Sequence, residues 1–345
     1  MTDIADDVLA LLSDAQRARW TLEREFYQPR IRVARDGERV VGAVLTASRP
    51  ATRYVKIVDL VASDDVVRHK LVDDVVESAR ADGHVVVKWE LWDDEAATVA
   101  SSLGFTRALT PFEDRDQPDA PRGAVRWLVD WPHPEQRYYR QTTEVTCGAV
   151  SLLLAAPVLG EQGFGAEDAE PNHVTELELW RQATNFPACE PVGLGVAARK
   201  AFPALTVDVH LDTDQPVLLE EFPEDFMTGF RRDLQAQSRA EARLVGAGLH
   251  DDRMPMTEVA ARVNDGEVVL LLVSLELMHG DEDPHWILAH SSRDGVVLVE
   301  DPWLSRAHGE TWLDGHDLPI AVDALEDMVA WGPTGYRGVV VLARR

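Results

Sequence analysis

Apolar residues recur at helical and strand spacing in turn along residues 1–131. Residues 66–80 predict an amphipathic helix whose apolar face is formed by Val67, Leu71, Val75 and Ala79. The same helical period occurs over residues 3–26 and 96–103. Runs rich in β-branched residues predict strands at 30–34, 39–45, 54–62, 84–91 and 125–131. The first part of the chain is therefore expected to be a mixed α/β domain.

Two prolines within residues 132–135 break both patterns and predict a linker between domains at 1–131 and 135–345. Beyond the linker, helical spacing comes first and strand-like runs come last. The predicted helices are 174–183, 192–202, 226–245 and 256–263. The predicted strands are 205–209, 268–277, 338–343 and a hairpin over 285–301. A Gly- and Glu-rich loop is expected at 160–172. The fold class is therefore α+β, with an antiparallel sheet formed late in the chain.

Cys147 stands where a polar segment becomes an apolar run that fits a buried helix, and Thr146 just before it is a plausible N-cap. A thiol at a helix N-terminus lies in a positive potential, which favours the thiolate. We therefore interpret Cys147 as a nucleophile. The alternative is a small buried hydrophobic residue, the usual state of a cysteine beside alanine and leucine.

Gln141 precedes Cys147 by six residues. Its side-chain amide can lie beside the backbone N–H of Cys147, which gives two donors for an oxyanion. We therefore predict that Gln141 supports the chemistry of Cys147.

The predicted hairpin carries His285 at the start of its first strand and Asp301 at the end of its second. Folding the hairpin about Arg293 sets these two residues opposite each other, and cross-strand neighbours lie about 4.5–5.5 Å apart at Cβ. A carboxylate at this distance can fix the tautomer and orientation of an imidazole. Cys147, His285 and Asp301 together predict a catalytic triad. Taken singly, His285 is more often a strand-edge residue, and Asp301 before Pro302 is more often part of a turn.

These motifs resemble the papain-like bacteriocin-processing peptidases that cut double-glycine leader peptides. The resemblance covers residues 135–345 and rests on Gln-x₅-Cys-Gly-Ala, a late His-Trp and an Asp-Pro pair. It implies that Cys147 is the nucleophile, His285 the general base, Asp301 the orienting carboxylate and Gln141 the oxyanion donor. The best-known members are fused to membrane-spanning ABC exporters and this chain is not, so substrate and partner do not carry over.

The order of elements over residues 25–131 resembles the GNAT acetyltransferase fold. That family binds the acetyl-CoA pyrophosphate with a glycine-containing loop at the start of its central helix. The corresponding segment here, 63–71, contains no glycine and carries Asp64 and Asp65 instead. We therefore expect the fold without a working cofactor loop, and no bound cofactor.

Composition and charge limit the classes of partner that the chain is expected to bind. The 345 residues carry a net charge of −26, which argues against nucleic acid. The charge favours a basic peptide or protein as substrate, or it serves only to keep the protein soluble. No apolar stretch is long enough to span a membrane, the N-terminus is too acidic for a signal peptide, and two cysteines fit a reducing compartment. We expect a cytoplasmic protein.

Three further features are weighed against the triad. Cys189 is interpreted as a packing residue, because neither a histidine nor a helix start accompanies it. The acidic segment 279–285 contains metal-ligand residue types, but an acidic loop is usually only solvated, so no bound metal is expected. No role is assigned to His290, His308 or His316.

Three functions remain open from the sequence. The first is a cysteine peptidase whose GNAT-like domain serves as scaffold or recognition module. The second is an active N-acetyltransferase, and the third is a catalytically silent peptide-binding protein. The sequence does not indicate the oligomeric state.

Overall fold

A computed structural model describes residues 4–165, 167–184, 187–220 and 222–345. Helices pack on two β-sheets, one of six strands and one of seven. The first sheet is formed by residues before the predicted linker and the second by residues after it. The predicted α+β fold class is confirmed.

The first sheet has the strand order β1-β2-β3-β4-β6-β5. Its strands are β1 Arg30–Asp36, β2 Arg39–Ala47, β3 Tyr54–Ala62, β4 Val86–Leu91, β5 Thr106–Arg107 and β6 Arg122–Trp127. Strands β3 and β4 are parallel, and every other neighbouring pair is antiparallel. A parallel pair requires a crossover. The predicted amphipathic helix supplies it.

The helices of this domain are α1 Asp6–Leu9, α2 Asp14–Trp20, α3 Asp65–Ala81 and α4 Asp94–Ser102. A short 3₁₀ turn, Glu25–Tyr27, lies between α2 and β1. The single helix predicted over 3–26 is wrong for the described residues. Ser13 begins a new helix, because its hydroxyl accepts from the backbone N–H of Gln16 while the Gln16 side chain reaches back in a capping box. The Ser-x-x-Gln spacing was visible in the sequence.

The second sheet has the order β12-β11-β10-β9-β13-β7-β8. Its strands are β7 Leu205–Leu211, β8 Gly248–His250, β9 Val268–Ser274, β10 Pro284–Arg293, β11 Val296–Glu300, β12 Leu318–Ala321 and β13 Gly338–Arg344. Only β7 and β8 pair in parallel among these strands. The strand predicted over 268–277 is too long, because a helical turn begins at Glu276.

Eight helices of the described residues belong to this domain. They are α5 Cys147–Val158, α6 Ala169–Ala183, α7 Pro191–Ala201, α8 Phe226–Val245, α9 Met256–Asn264, α10 Glu276–His279, α11 Trp312–Gly315 and α12 Val322–Met328, with a 3₁₀ turn at Arg306–His308. The loop predicted over 160–172 ends earlier, where α6 begins. Residues 185–186, between the helices predicted at 174–183 and 192–202, lie outside the described residues.

The strand β9 is buried on both faces, which explains its continuous apolar sequence. One face, with Leu270 and Leu272, packs in a core that includes α5 and α7. The other face, with Leu271 and Val273, packs in a second core with α9 and α12. Within the described residues, no helix is both long and apolar enough to cross a membrane.

The two sheets meet through buried polar contacts. Thr52 forms an isolated antiparallel bridge with Ile320 at the edge of the second sheet. The ammonium of Lys88, from β4, donates to the backbone oxygens of Leu313 at 2.7 Å and His316 at 2.6 Å. Tyr54 and Val86 of the first sheet also belong to the second domain's core. The two domains therefore share one buried interface.

Candidate active site

Cys147 is the first residue of α5. The helix is buried along most of its length, and the Cys147 side chain retains 8% exposure at the end that faces a cleft. The positive end of the helix dipole therefore lies at the sulfur.

Gly148 allows α5 to start close to its neighbours. A Cβ at this position would lie 3.0 Å from Cβ of Cys189 and 3.1 Å from Cδ1 of Trp286. Such contacts leave little room for a side chain. Trp286 follows His285 on β10, so the glycine brings the start of α5 against the strand that carries the histidine.

Thr146 immediately precedes α5, the position predicted for the N-cap, but its side chain makes no capping hydrogen bond to the helix. Its hydroxyl instead donates to the fully buried carboxylate of Glu176, on α6, at 2.5 Å. The same carboxylate accepts from the backbone N–H of Thr142 at 2.9 Å and from the hydroxyl of Tyr139 at 2.9 Å. Glu176 therefore fixes the segment that leads to the cysteine, a role that sequence analysis missed.

His285 and Asp301 lie in contact. His285 Nε2 is 2.7 Å from Asp301 Oδ1, and both side chains are buried. Burial alone lowers the pKa of His285, but Asp301 and the thiol of Cys147 outweigh it and raise this pKa to about 9. The structure therefore brings Cys147, His285 and Asp301 together.

The predicted hairpin is present, but its register differs from a simple fold about Arg293. Arg293 pairs with Val296 across a two-residue Asp294-Gly295 turn in which both residues have positive φ. A bulge between Ala289 and Ser291 then shifts the register, so that Leu288 pairs with Glu300. Asp301 lies just past the end of β11 and reaches His285 from there.

Asp301 is held by charges on both sides. Its Oδ1 also accepts from the backbone N–H of Trp303 at 2.8 Å, and its Oδ2 accepts from the guanidinium of Arg49 at 2.5 Å. Burial would raise the pKa of Asp301, but Arg49 and His285 hold it well below its ordinary value. The carboxylate is therefore ionised.

Arg49 comes from the first domain, directly after β2, and is fully buried. Besides Asp301, it donates to Glu310 at 2.6 Å and to the backbone oxygen of Trp303 at 3.0 Å. Its ion pairs with Asp301 and Glu310 outweigh the burial cost and raise its pKa. The sequence held no signal for this contact, because 252 residues separate Arg49 from Asp301.

Gln141 lies beside the cysteine in the cleft wall, with 1% exposure. Its backbone N–H donates to the oxygen of Pro302 at 3.0 Å, which ties it to the Asp301 segment. Its side-chain Nε2 donates to the oxygen of Thr143 at 2.8 Å. Its side-chain Oε1 is buried and has no hydrogen-bond partner within the described residues.

A cleft of about 410 Å³ contains the Gln141, Cys147 and His285 side chains. Aromatic side chains line it, among them Trp303, Trp331 and Phe222. Its polar lining includes the carboxylates of Glu144, Glu220, Asp281 and Asp283, all on exposed residues. The acidic segment 279–285 thus forms part of the cleft wall.

Cys189 also borders the cleft but is buried to 2% exposure. Burial raises the pKa of its thiol well above the ordinary value. Its backbone oxygen accepts from the indole N–H of Trp286 at 2.9 Å. These contacts are those of a packing residue.

In the first domain, the N-terminus of α3 is already occupied by a carboxylate. Asp64 is the N-cap, and its Oδ1 accepts from the backbone N–H of Val67 at 2.9 Å. That hydrogen bond and one from Ser63 lower the pKa of Asp64. An anion arriving at this helix end would meet a negative charge.

The model of a Peptidase_C39-like family matches residues 136–343. The match spans most of the domain that holds the cleft and all four residues of the predicted site. This chain belongs to the Peptidase_C39-like family.

No curated protein matches the chain. Among solved structures, it is similar to a Bacillus subtilis acetyltransferase in complex with CoA, at 14% identity, over 37% of this chain and 96% of that one, with a TM-score of 0.29. It is also similar to the aminoglycoside 6'-N-acetyltransferase from Enterococcus faecium, at 14% identity, 37% and 92% coverage and a TM-score of 0.28. The IAA acetyltransferase from Bacillus cereus gives 18% identity, 36% and 93% coverage and a TM-score of 0.28.

Proposed function

We propose that this protein is a cysteine peptidase that cleaves an amide bond through Cys147, His285 and Asp301. The observation that carries the proposal is the buried imidazole of His285, held by Asp301 on one ring nitrogen and influenced by the thiol of Cys147. A structural histidine would not need a cysteine at a helix N-terminus as its second partner. Membership of a Peptidase_C39-like family supports the same chemistry.

In the proposed reaction, the Cys147 sulfur attacks the carbonyl carbon of the scissile amide. Because Nε2 of His285 contacts Asp301, Nδ1 is the nitrogen left to exchange a proton with the thiol. The imidazolium then protonates the leaving amine as the C–N bond breaks, which forms a thioester. Water, deprotonated by the same imidazole, attacks that thioester and releases the acid and the thiol.

Gln141 is the proposed oxyanion donor. Its Nε2 donates one hydrogen bond to the backbone oxygen of Thr143, and this contact fixes the plane of the amide. The second N–H of the same amide is the proposed donor to the oxyanion. A preorganised donor of this kind stabilises charge that develops only in the transition state. The backbone N–H of Cys147, at the start of α5, is the second donor.

A basic peptide is the proposed substrate class. Four carboxylates border the cleft, and the whole chain carries a charge of −26. Lys or Arg side chains flanking the scissile bond would meet these carboxylates and be steered toward the cleft. Both thiols of the chain are free. Two free cysteines are typical of a reducing compartment, and we propose that the protein is cytoplasmic.

Alkylation by iodoacetamide near pH 6 tests whether Cys147 is a nucleophile, and Cys189 is an internal control. If Cys147 is the nucleophile, the adjacent His285 should make its sulfur react rapidly, whereas Cys189 should stay unmodified because burial raises the pKa of its thiol. Peptide mapping by mass spectrometry separates the two. Equal, slow modification of both cysteines would favour the silent peptide-binding hypothesis.

Cleavage itself is tested with a library of basic peptides that differ in net charge. The wild-type chain should release products from the more basic members, and Cys147→Ala should release none. Alanine fits at the first position of α5, so the variant should keep the near-UV circular dichroism of the wild type. Product release by purified Cys147→Ala would refute the assignment.

A further inference from the structure

A second cluster of side chains that could bind a metal lies next to the triad. His290 from β10, Glu300 at the end of β11 and Asp317 just before β12 place one donor atom each within 4.8 Å of the others. Glu300 precedes Asp301 directly, but none of the three side chains takes part in the proposed peptidase chemistry. The cluster therefore needs a separate explanation.

His290 is the unusual member. It is buried to 4% exposure, and neither of its ring nitrogens has a hydrogen-bond partner within the described residues. Asp317 Oδ1 likewise has no hydrogen-bond partner in the described part of the chain. A buried imidazole without any hydrogen bond costs free energy unless a ligand satisfies it.

The distances fit a tetrahedral metal. His290 Nε2 lies 3.4 Å from Asp317 Oδ1 and 3.6 Å from Glu300 Oε1. These contacts are too long for good hydrogen bonds. Donors that surround Zn²⁺ at about 2.1 Å in a tetrahedron are separated by about 3.4 Å.

The backbone is irregular at two of the three positions. The bulge in β10 falls at His290, where one extra residue re-aims a side chain. Asp317 has a φ of 44°, in the left-handed region. Such conformations persist where the surrounding structure compensates for them.

We propose that His290, Glu300 and Asp317 bind a divalent transition metal, with Zn²⁺ the best match to this mixture of imidazole and carboxylate donors. His133, at the predicted linker, is placed to complete or support the site, because its Nε2 lies 3.3 Å from Asp317 Oδ2. His316 supports it from the other side, with Nδ1 3.0 Å from Glu300 Oε1. Second-sphere contacts of this kind orient metal ligands.

The metal would join three neighbouring strands, because His290 lies within β10, Glu300 ends β11 and Asp317 precedes β12. Since Asp301 follows Glu300, it would also restrain the segment that carries the triad carboxylate. The site is enclosed, so the ion would enter during folding and resist brief treatment with a chelator. This role does not depend on peptidase activity.

The test is elemental analysis of the full chain, expressed with added zinc and desalted in EDTA. The wild type should retain about one ion per chain. Asp317→Asn is the informative variant, because asparagine tolerates the left-handed conformation and removes only the charge. Loss even of an outer-sphere partner costs about 10–100-fold in metal affinity, so Asp317→Asn should bind the metal at least about tenfold more weakly and retain less of it in EDTA.

His290→Gln is the second variant, and near-UV circular dichroism checks that both variants fold. His250→Ala is the matched control, because His250 belongs to a separate cluster with His210 and Asp252. Its Nε2 already pairs with Asp208 Oδ1 at 3.1 Å. This variant should keep the full metal content. Substitution with Co²⁺ should give a visible absorption band in the wild type that Asp317→Asn loses.

Three outcomes would overturn the proposal. They are a wild-type chain without stoichiometric metal after folding with Zn²⁺ or Co²⁺, a metal content that both ligand variants leave unchanged, and a loss confined to His250→Ala.

Discussion

At the scale of single residues, His285 determines how the site responds to pH. Its pKa is raised to about 9 by Asp301 and Cys147, against the effect of burial. A raised pKa stabilises the folded state fully below the unfolded value of about 6.5, and this contribution is lost as the pH rises through 9.

We predict that the free energy of unfolding falls between pH 6.5 and 9 by about 3 kcal/mol more in the wild type than in His285→Ala. The reason is that the wild-type chain loses the imidazolium, with its Asp301 contact, over this range. Urea unfolding at several pH values measures the two slopes. Parallel slopes would contradict the protonated state assigned to His285.

The second residue-scale prediction concerns Gln141. Removal of one oxyanion donor typically costs about 10²–10³ in kcat, so Gln141→Ala should retain slow, measurable cleavage. Gln237→Ala, on an exposed part of α8, should have wild-type kcat. Steady-state kinetics on a cleaved library peptide provide the comparison. Full activity of Gln141→Ala would remove Gln141 from the mechanism while leaving the nucleophile in place.

At the scale of elements, the start of α3 decides whether the first domain binds acetyl-CoA. Its N-terminal N–H groups are the natural anion site of such a helix. Here Asp64 accepts from one of them and carries the charge that a pyrophosphate would bring. The N-cap therefore competes with the cofactor.

We predict that the full chain shows no micromolar binding of acetyl-CoA in calorimetric titration. Like charges in contact can cost several kcal/mol, about a hundredfold or more in affinity. Asp64→Asn keeps the cap and removes the charge. Binding gained by this variant would identify repulsion by Asp64 as the obstacle, and no gain would point to the lack of glycine. Tight binding by the wild type, or acetyl transfer to an amine, would instead support the acetyltransferase hypothesis.

Most helices and strands could be predicted from the sequence because their apolar periods are long. The amphipathic period that predicts α3 and the apolar sequence of β9 are of this kind. The short connections could not be predicted as well. Nothing in residues 285–301 indicated a bulge at His290, because a bulge depends on the partner strand. The proximity of His285 and Asp301 was nevertheless predictable, because a hairpin brings the start of β10 near the end of β11.

The supporting residues of the site were not predictable for a different reason. Glu176 and Arg49 act through contacts between elements that are far apart in sequence. An isolated Glu on a helix or an Arg in a loop has many equally plausible surroundings. Only the tertiary packing of the folded chain selects one of them.

At the scale of the whole molecule, the two domains are joined through the charge on Arg49. Asp301 and Glu310 are both buried, and Arg49 contacts both carboxylates. Removing one partner of a buried ion pair typically costs about 3–5 kcal/mol, because the remaining charges are left without compensation.

We predict that Arg49→Met lowers the free energy of unfolding by about 3–5 kcal/mol and slows the alkylation of Cys147. The loss should be largest above pH 4, where Asp301 is ionised in both states, and should shrink as the pH falls, because a depressed pKa stabilises only above the unfolded value. Urea unfolding and peptide mapping measure the two effects.

Arg232→Met is the control for this experiment. Arg232 pairs with Glu224 on the surface, where 42% and 75% of the side chains are exposed. Exposed pairs contribute little to stability because water and salt screen the charges, so this variant should be nearly as stable as the wild type. An Arg49→Met chain as stable as the Arg232→Met chain would show that the ion pairs of Arg49 do not hold the two domains together.

The position of Arg49 also sets an order of events during synthesis. The ribosome makes Arg49 252 residues before it makes Asp301. N-terminal domains generally fold first during translation. The nascent chain therefore presents the counterion in a folded segment before the carboxylate leaves the ribosome, and the contact between Arg49 and Asp301 forms only when β10 and β11 have been translated and docked. A ribosome that starts at the second domain would deliver the cysteine, the histidine and the aspartate without the cation that keeps them aligned.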